Sequence, residues 1–409
     1  MNSKDPIGII ELGNLNIRCV IFGINNNNVE ILSTSITPSE GIHNDVVVNL
    51  TKASKAIRSC ISKAEEKAKI LLKKINVVFE QPDFLCTKFS KNKKIDGSII
   101  HKGDIEFLLK EAKKQLVLND NKQSIIHIFN HNYIVDGKTF VEEPIGVYAD
   151  SLTHEITFIS TPKNNLKNIN QVFIDCDIEI ARLISRTFAL GVKLLSHKEL
   201  EFGSAILDLG FEKISFGLFK NLALVHSITF PIGINHITKD ISKVCSLNLD
   251  ESENIRNNID FSYQNSQKLF DENNYLKSIY FINSSFRKIS KNLILSVVKA
   301  RLDEIFDTLK KQLIVSGFNL TSKINLLLAG GGSNLFNIEK CFINFFGPNV
   351  KRVDKNNVEK DKDLETNLAS CLGALEIIKD GWETEAIPET VGTNIEKTSF
   401  FAKIFKINK

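Results

Sequence analysis

Residues 7–22 read Ile-Gly-Ile-Ile-Glu-Leu-Gly-Asn-Leu-Asn-Ile-Arg-Cys-Val-Ile-Phe, and residues 205–219 read Ala-Ile-Leu-Asp-Leu-Gly-Phe-Glu-Lys-Ile-Ser-Phe-Gly-Leu-Phe. Each is an apolar strand ending in an acid, then Leu-Gly, then a returning strand. Glu11-Leu12-Gly13 corresponds to Asp208-Leu209-Gly210 at an offset of 197 residues, and the same offset pairs Ile17 with Ile214 and Phe22 with Phe219. Such an echo predicts a duplicated architecture with two similar lobes. A third glycine turn, Gly330-Gly331-Gly332-Ser333-Asn334, follows an apolar strand over 324–329, and a helix is expected to start at Ser333 or Asn334.

Working outward, the 409 residues carry 52 Lys and Arg against 48 Asp and Glu, a formal charge of +4, with 43% hydrophobic residues. That composition suits a soluble globular protein with apolar mass for more than one core. Charge this mild and dispersed argues against nucleic acid as a partner. The seven cysteines are odd in number and widely separated. They fit neither a zinc pattern nor a disulfide framework and agree with a reducing cytoplasm. Residues 1–8 lack the apolar core of a signal peptide, and no apolar run reaches the ~20 residues of a membrane-spanning helix.

Between the echoes the periodicity changes. Residues 29–36 read as a third strand. Residues 51–74 read as a helix with Ala53, Ala56, Ile57, Cys60, Ile61 and Ala64 on one face, followed by a strand over 75–79. Residues 80–162 look like a small α+β unit, with an amphipathic helix over 104–118 and strand-like segments at 124–129 and 155–160. Residues 166–190, rich in Ile and Leu, read as a helix, and the pattern from Gly233 to about residue 300 is helical and polar. Residues 367–379 form the last strong helix, and 381–396, with Pro388 and Gly392, read as a linker. The class is α/β.

Two hairpins with an acid and a glycine at each turn can grip phosphate groups, because glycine lets backbone N–H groups come close to the oxygens. The candidates are Gly13 and Asn14 in one turn and Asp208 and Gly210 in the other, with Glu11 and Asp208 able to hold magnesium through water. Each hairpin alone is equally an ordinary hairpin with an edge carboxylate. Gly330, Gly331, Gly332 and Asn334 give the stronger signal. A glycine turn between strand and helix leaves free N–H groups and a positive helix end beside a ligand. A flexible turn without a ligand is the alternative. Glu253 and Arg256 share a helix face; they can meet ribose hydroxyls or simply pair with each other. His127 and His131 have metal-like spacing for a helix, yet residues 125–129 read as a strand and no further ligand clusters with them. No Gly-x-Ser-x-Gly elbow and no Gly-x-x-x-x-Gly-Lys loop occurs.

In order and spacing these residues resemble the actin superfamily and, within it, the FtsA family of bacterial cell-division proteins. The resemblance runs from residue 7 to about residue 379. Residues 7–22 and 205–219 look like its two phosphate motifs, 326–334 like its adenosine motif, 367–374 like its second connecting helix, and 252–256 like its ribose segment. Two features select FtsA. Tyr133-Ile134-Val135-Asp136-Gly137 with Glu143-Pro144-Ile145-Gly146-Val147 is similar to its inserted SHS2-type subdomain. Pro231-Ile232-Gly233-Ile234-Asn235-His236-Ile237-Thr238-Lys239-Asp240-Ile241 is close to its Pro-x-Gly-Gly-x-x-Ile-Thr-x-Asp-Ile segment, and residues 301–305 fit its returning helix.

The resemblance implies a duplicated, ribonuclease H-like, two-lobed actin-like fold. Subdomain 1A would take residues 1–79, 163–200 and 347–380, inserted subdomain 1C 80–162, subdomain 2A 201–236 and 301–346, and subdomain 2B 237–300. A linker over 381–396 and a membrane-targeting amphipathic helix over 397–409 would follow. It also implies ATP with Mg2+ as ligand, self-association into a polymer, and the FtsZ C-terminal peptide as a partner of 2B. The place would be the cytoplasmic face of the inner membrane at the division site. Departures bear on the ligand. Glu11 stands for the family's Asp, Asn14 for its hydroxyl residue and Asn16 for its Lys, while Phe211, Glu212 and Lys213 replace Gly-Gly-Thr. A Phe and a Glu there would crowd and repel an anion, with Lys213 a partial offset. The expectation is weak nucleotide binding, little or no hydrolysis, and a weakened magnesium site.

Phe400, Phe401, Ile404 and Phe405 recur at helical spacing, and Lys397, Lys403, Lys406 and Lys409 add charge with no acid after Glu396. A helix there would span about 20 Å at ~1.5 Å per residue, too short to cross a bilayer, and suits lying in the membrane surface. A disordered tail or a helix docked on the body is the alternative. One such tail holds weakly; several on a polymer hold firmly through effective concentration. Two rival functions stand beside the adaptor: a pilus-assembly relative of FtsA that binds a membrane protein's short peptide, and an actin-fold kinase of a small metabolite.

Overall fold

The computed structural model describes residues 4–25, 28–140, 144–262, 269–282, 287–315, 325–353 and 367–380. The linker and the tail with Phe400, Phe401, Lys403, Ile404, Phe405 and Lys406 lie outside the described residues. Two units divide the chain: Met1–Gly203 with Gly217–Ile228 and Val358–Lys409, and Ser204–Phe216 with Thr229–Asn357.

The first unit opens with an antiparallel meander, β1 (Lys4–Glu11), β2 (Asn16–Asn25) and β3 (Asn28–Pro38). A short ribbon, β4 (Ile42–His43) with β5 (Val46–Val47), leads to helix α1 (Leu50–Ala68). The Asn49 side chain caps α1 by accepting from the Lys52 N–H at 3.0 Å. The expected apolar face, Ala53 to Ala64, is buried. Its small residues let the helix lie close on the meander, where the Ser33 and Ser35 hydroxyls donate to the Ala64 and Cys60 carbonyls at 2.8 and 2.6 Å. The helix ends at Lys69, in the left-handed region at φ 57°, short of the expected end at residue 74. β6 (Lys74–Phe79) then runs parallel to β1.

The inserted segment forms its own sheet. β7 (Leu85–Ile99), helix α2 (Lys102–Asn119), β8 (Gln123–Val135), β9 (Lys138–Phe140) and β10 (Tyr148–Pro162) give the strand order β7-β10-β8-β9. The strands are longer than the segments expected at 124–129 and 155–160. Leu109, Ala112 and Leu116 of α2 pack with Phe89, Ile128, Ile156 and Phe158. One turn earlier Ile105 and Leu108 pack with Ile95, Val135 and Leu152. Each such Leu, Ile or Phe contributes roughly 1.5–3 kcal/mol on burial, so the insertion carries a core of its own.

Residues 166–190 are not one helix. They comprise α3 (Lys163–Ile174), β11 (Glu179–Ser185) and the start of α4 (Arg186–Leu194), with α5 (His197–Phe202) beyond. Asp177, at φ 55°, breaks the helical run. Ile180, Leu183 and Ile184 then enter a strand parallel to β6 and buried in the sheet. An unbroken apolar run fits a buried strand as well as a buried helix. The finished sheet has the order β11-β6-β1-β2-β3.

In the second sheet β12 (Ser204–Leu209), β13 (Ile214–Lys220) and β14 (Ala223–Phe230) come first, with the segment Gly217–Ile228 grouping with the first unit. Helices α6 (Asn235–Cys245), α7 (Leu249–Asn258) and α8 (Lys291–Val315) intervene before β15 (Asn325–Ala329), α9 (Ile338–Phe346) and β16 (Val350–Arg352). β15 is parallel to both β12 and β16, and the order is β14-β13-β12-β15-β16. Three consecutive strands followed by two parallel ones repeat the first sheet, so the 197-residue echo is a duplication of topology. Ile17, Ile214, Phe22 and Phe219 all lie in the core, at 0–1% exposure. The last described helix, α10 (Ala369–Asp380), belongs to the first unit and packs on α4.

Candidate functional site

Both hairpin turns close the same way. A Cβ on Gly13 would come within 2.7 Å of the Asn16 carbonyl oxygen, and one on Gly210 within 2.6 Å of that of Lys213. Asn16 and Lys213 are themselves related by the offset of 197. Gly210 donates its N–H to that Lys213 oxygen at 3.0 Å. These glycines are required by a close carbonyl, so their presence does not by itself indicate a ligand.

At the first turn, Glu11 and Arg18 face each other across β1 and β2. Glu11 is 1% exposed. Its Oε1 accepts from Arg18 Nη1 at 3.4 Å and from Arg186 Nη1, and its Oε2 accepts from the Ser370 hydroxyl at 2.8 Å. A buried carboxylate is tolerable only with such partners. The donor set does not fit the expected magnesium site. Both oxygens are engaged, two guanidiniums already neutralise the charge, and no group of three metal-ligating side chains occurs among the described residues. Asn14 also turns away from a ligand role. Its amide donates to Asn44 Oδ1 at 3.1 Å, and its oxygen accepts from the Asp45 N–H at 3.3 Å. Cys371, next to Ser370, is fully buried; burial pushes its thiol up to about 11, although Arg18 and Arg186 pull the other way.

At the second turn the charge of Glu212 is answered within the protein. Its Oε1 accepts from the Asn235 amide at 2.7 Å and from Lys239 Nζ at 2.9 Å, both on the first turns of α6. Burial pushes the carboxyl up, but the bonds from Asn235 and Lys239, with the charges of Lys239 and His236, outweigh it and hold Glu212 below its ordinary range. The Phe211 carbonyl accepts the Asn235 N–H at 2.8 Å and the Gly210 carbonyl the Ile234 N–H at 3.0 Å, so the loop is the docking platform for α6. Lys213 is 7% exposed. Asp208, 3% exposed, lies against Gly330, where a Cβ would overlap its Oδ1.

The glycine run is a short 3-10 turn, Gly331–Asn334, and α9 starts only at Ile338. The expected helix start at Ser333 or Asn334 is therefore corrected. The Ser333 hydroxyl donates to the Gly330 carbonyl at 2.7 Å, closing the turn, and Asn337 must pass through φ 59° before the helix can begin. Gly330 sits at φ 79°, and a Cβ on Gly332 would meet the Leu209 carbonyl at 2.9 Å and overlap Ile234. Gly331 alone faces open space, and Asn334 is exposed beside it.

Glu253 and Arg256 pair with each other at 2.8 Å. Arg256 is buried, and its Nη1 donates to Thr238 Oγ1 at 2.8 Å, which ties α7 to α6 and leaves Glu253 as the exposed member. His127 lies on β8, as its strand reading required. Its Nε2 accepts the Ser185 N–H at 2.9 Å, while Glu80 takes the Ser185 hydroxyl and the Thr187 N–H at 2.8 and 2.9 Å. That buried cluster joins the inserted sheet to the start of α4. Sequence reading passed over Arg18, Arg186 and Ser370. Arg18 had a signal, since folding the hairpin about its Gly13 turn sets it opposite Glu11.

Residues 205–373 match the family described as "Cell division protein FtsA", and residues 85–160 match "SHS2 domain inserted in FTSA". The FtsA of Agrobacterium fabrum is 21% identical over 360 residues, spanning 84% of this chain and 80% of its own. That of Buchnera aphidicola subsp. Acyrthosiphon pisum is 24% identical over 395 residues, spanning 93% and 90%. A solved structure, the PilM-PilN type IV pilus biogenesis complex, is similar at a TM-score of 0.63 and 13% identity, covering 90% of this chain and 98% of that one. The duplicated sheets with matched glycine turns define an actin-like α/β protein with an inserted SHS2 domain. Both matched patterns are those of one family, and the chain belongs to the FtsA family of cell-division proteins.

Proposed function

We propose that this chain is a cell-division adaptor. It binds ATP weakly as a conformational ligand, associates with copies of itself, and tethers FtsZ filaments to the cytoplasmic face of the inner membrane at the division site. One observation carries the reading: the FtsA pattern persists over residues 205–373 and 85–160 while the acid of the first turn, Glu11, is spent on two arginines. An acid so engaged supports ligand holding and not catalysis, so we assign no catalytic residue and at most a very slow ATPase.

Nucleotide contacts are assigned to the backbone at Gly13, Gly330, Gly331 and Gly332 and to the side chains of Asp208, Glu253 and Asn334, while Gly210, whose N–H and carbonyl are both engaged within the protein, shapes the second turn. Arg256 positions Glu253. In this reading residues 1–79, 163–200 and 347–380 act as subdomain 1A, 80–162 as 1C, 201–236 and 301–346 as 2A, and 237–300 as 2B, the FtsZ-binding part. Phe400, Phe401, Ile404 and Phe405, with Lys403 and Lys406, form the membrane anchor. No helix among the described residues is long and apolar enough to cross a membrane, which accords with surface attachment.

The deciding experiment is a pull-down of the full chain with the FtsZ C-terminal peptide. Retention supports the adaptor. The likeness to the PilM-PilN complex favours a second reading, in which the chain binds the short cytoplasmic peptide of a pilus membrane protein. Retention of that peptide and not of FtsZ's would replace the first reading. Liposome sedimentation of wild type and Phe401→Asp tests the anchor: equal binding of the two removes it.

A further inference from the structure

We propose that Phe336 is the platform on which the base of the nucleotide stacks, and that this chain holds its ligand chiefly by the nucleoside end. The inference rests on the nucleotide-binding reading above and goes beyond it in naming what carries the affinity.

Three observations within the second unit support this. The first is which side of the glycine turn faces out. Gly331–Asn334 is a 3-10 turn, in which residues three apart share a side. Gly331 and Asn334 are exposed, while Gly332 and Ser333 are buried. Leu335 leaves the turn with extended backbone, at φ −63° and ψ 141°, and is buried. Extended backbone sends successive side chains to opposite sides, which returns Phe336 to the outer side, 54% exposed. The open backbone of Gly331 and a flat apolar ring thus lie along one side of one loop. The second is that the ring is held out. A single exposed phenyl ring is commonplace on protein surfaces, but here the backbone on both sides of it is fixed. Leu335 donates its N–H to the Gly332 carbonyl at 3.2 Å, the Phe336 carbonyl accepts the Phe261 N–H at 3.0 Å, and Asn337 Nδ2 donates to Asp260 Oδ1 at 2.9 Å. A platform fixed before the ligand arrives loses little entropy on binding. Asp260 and Phe261 come just after α7, so these bonds set the ring at the foot of the helix that carries Glu253.

The third is how little the second hairpin turn has left for a phosphate. Gly210 commits its N–H to the Lys213 and Asp208 carbonyls, at 3.0 and 3.2 Å, and its own carbonyl to the Ile234 N–H at 3.0 Å. The Phe211 carbonyl takes the Asn235 N–H at 2.8 Å. A base stacked on an aromatic ring contributes about tenfold in affinity, whichever base it is, because each has a π face. Stacking does not depend on the number of phosphates, so ATP, ADP and adenosine should be held nearly alike.

The test is calorimetric titration of the full chain with ATP, ADP, adenosine and inorganic tripolyphosphate in buffer with Mg2+. The expected result is that ATP, ADP and adenosine bind within about tenfold of one another and that tripolyphosphate binds more weakly than adenosine. Phe336→Ala should weaken ATP and adenosine alike, by about tenfold. Phe336→Trp should bind as tightly as wild type, and its added emission should fall when adenosine is supplied, while the wild type, with Trp382 as its one tryptophan, should change little. Adenosine weaker than ATP by more than about tenfold, tripolyphosphate tighter than adenosine, or unchanged ATP affinity in Phe336→Ala overturns the proposal and leaves the nucleotide reading intact. Phe336→Ala that keeps its ATP affinity but loses self-association in sedimentation makes the ring a contact between copies and likewise overturns it. Wild type that takes neither ATP nor adenosine overturns the nucleotide reading and the proposal with it. Should Phe336→Ala fail to fold, judged by circular dichroism, the ligand series on wild type and the Phe336→Trp emission still decide.

Discussion

Acidification should destabilise this protein through one imidazole whose contribution can be isolated. His127 is fully buried, with the Phe129 and Phe188 rings 5.6 and 5.2 Å from its own. Because Nε2 accepts the Ser185 N–H, the neutral ring carries its proton on Nδ1, which lacks a hydrogen-bond partner among the described residues. Burial pulls the imidazole from 6.5 down to about 3. The folded state therefore keeps it neutral while the unfolded chain takes up a proton below 6.5. The stabilisation is complete above that value and is lost as pH falls from 6.5 toward 3. Between pH 7 and pH 5 the loss is about 2 kcal/mol. His127→Gln retains an acceptor for Ser185 and does not titrate. Urea unfolding of both proteins at the two pH values gives the answer. Wild type should lose about 2 kcal/mol more than the variant, and other titrating groups, His226 included, cancel in the difference. Equal losses would refute the reasoning, for they would mean that water reaches the imidazole in the folded state.

Gly331→Ala should leave thermal stability within about 0.5 kcal/mol, because open space faces that position, while weakening ATP in the titration. Gly330→Ala should cost about 1 kcal/mol or more, read as a lowered Tm, since φ is 79° and the new methyl would overlap Asp208. Arg301 grips Asp240 with two bonds, Nε to Oδ2 at 2.5 Å and Nη2 to Oδ1 at 2.9 Å, joining α8 to α6; Arg301→Ala should lower urea stability by about 1–2 kcal/mol. Asn49→Ala removes the α1 cap and should cost about 1 kcal/mol in the same assay.

The two-sheet plan was legible because it rests on local pattern: an acid, Leu-Gly and apolar strands spaced by 197 residues. The buried face of α1 was legible for the same reason. Residues 166–190 misled because Ile and Leu fill a parallel strand as readily as a helix, and only the parallel pairing with β6 separates the two. The site was harder, because its partners are remote. Arg186 lies 175 residues from Glu11 and Ser370 lies 359 away, beyond any spacing rule. The partner of Glu212 was not legible either, because Lys239, which answers its charge, comes from a helix that first has to fold back. Hydroxyl closure of the glycine turn by Ser333 likewise moved the start of α9 beyond any position that the run of glycines suggested.

The matched closure of the Gly13 and Gly210 turns bears on how such a scaffold can change its trade. Each turn is held by a main-chain oxygen, that of Asn16 or Lys213, lying where a methyl group would otherwise sit. The main-chain carbonyl is the same in every residue. Side chains around the loop can therefore be exchanged freely, from ligand-gripping to helix-docking, without the hairpin losing its shape. Form is insured separately from employment: the second turn, with Glu212 now fastening α6, is already the first turn's twin in shape and a different device in use.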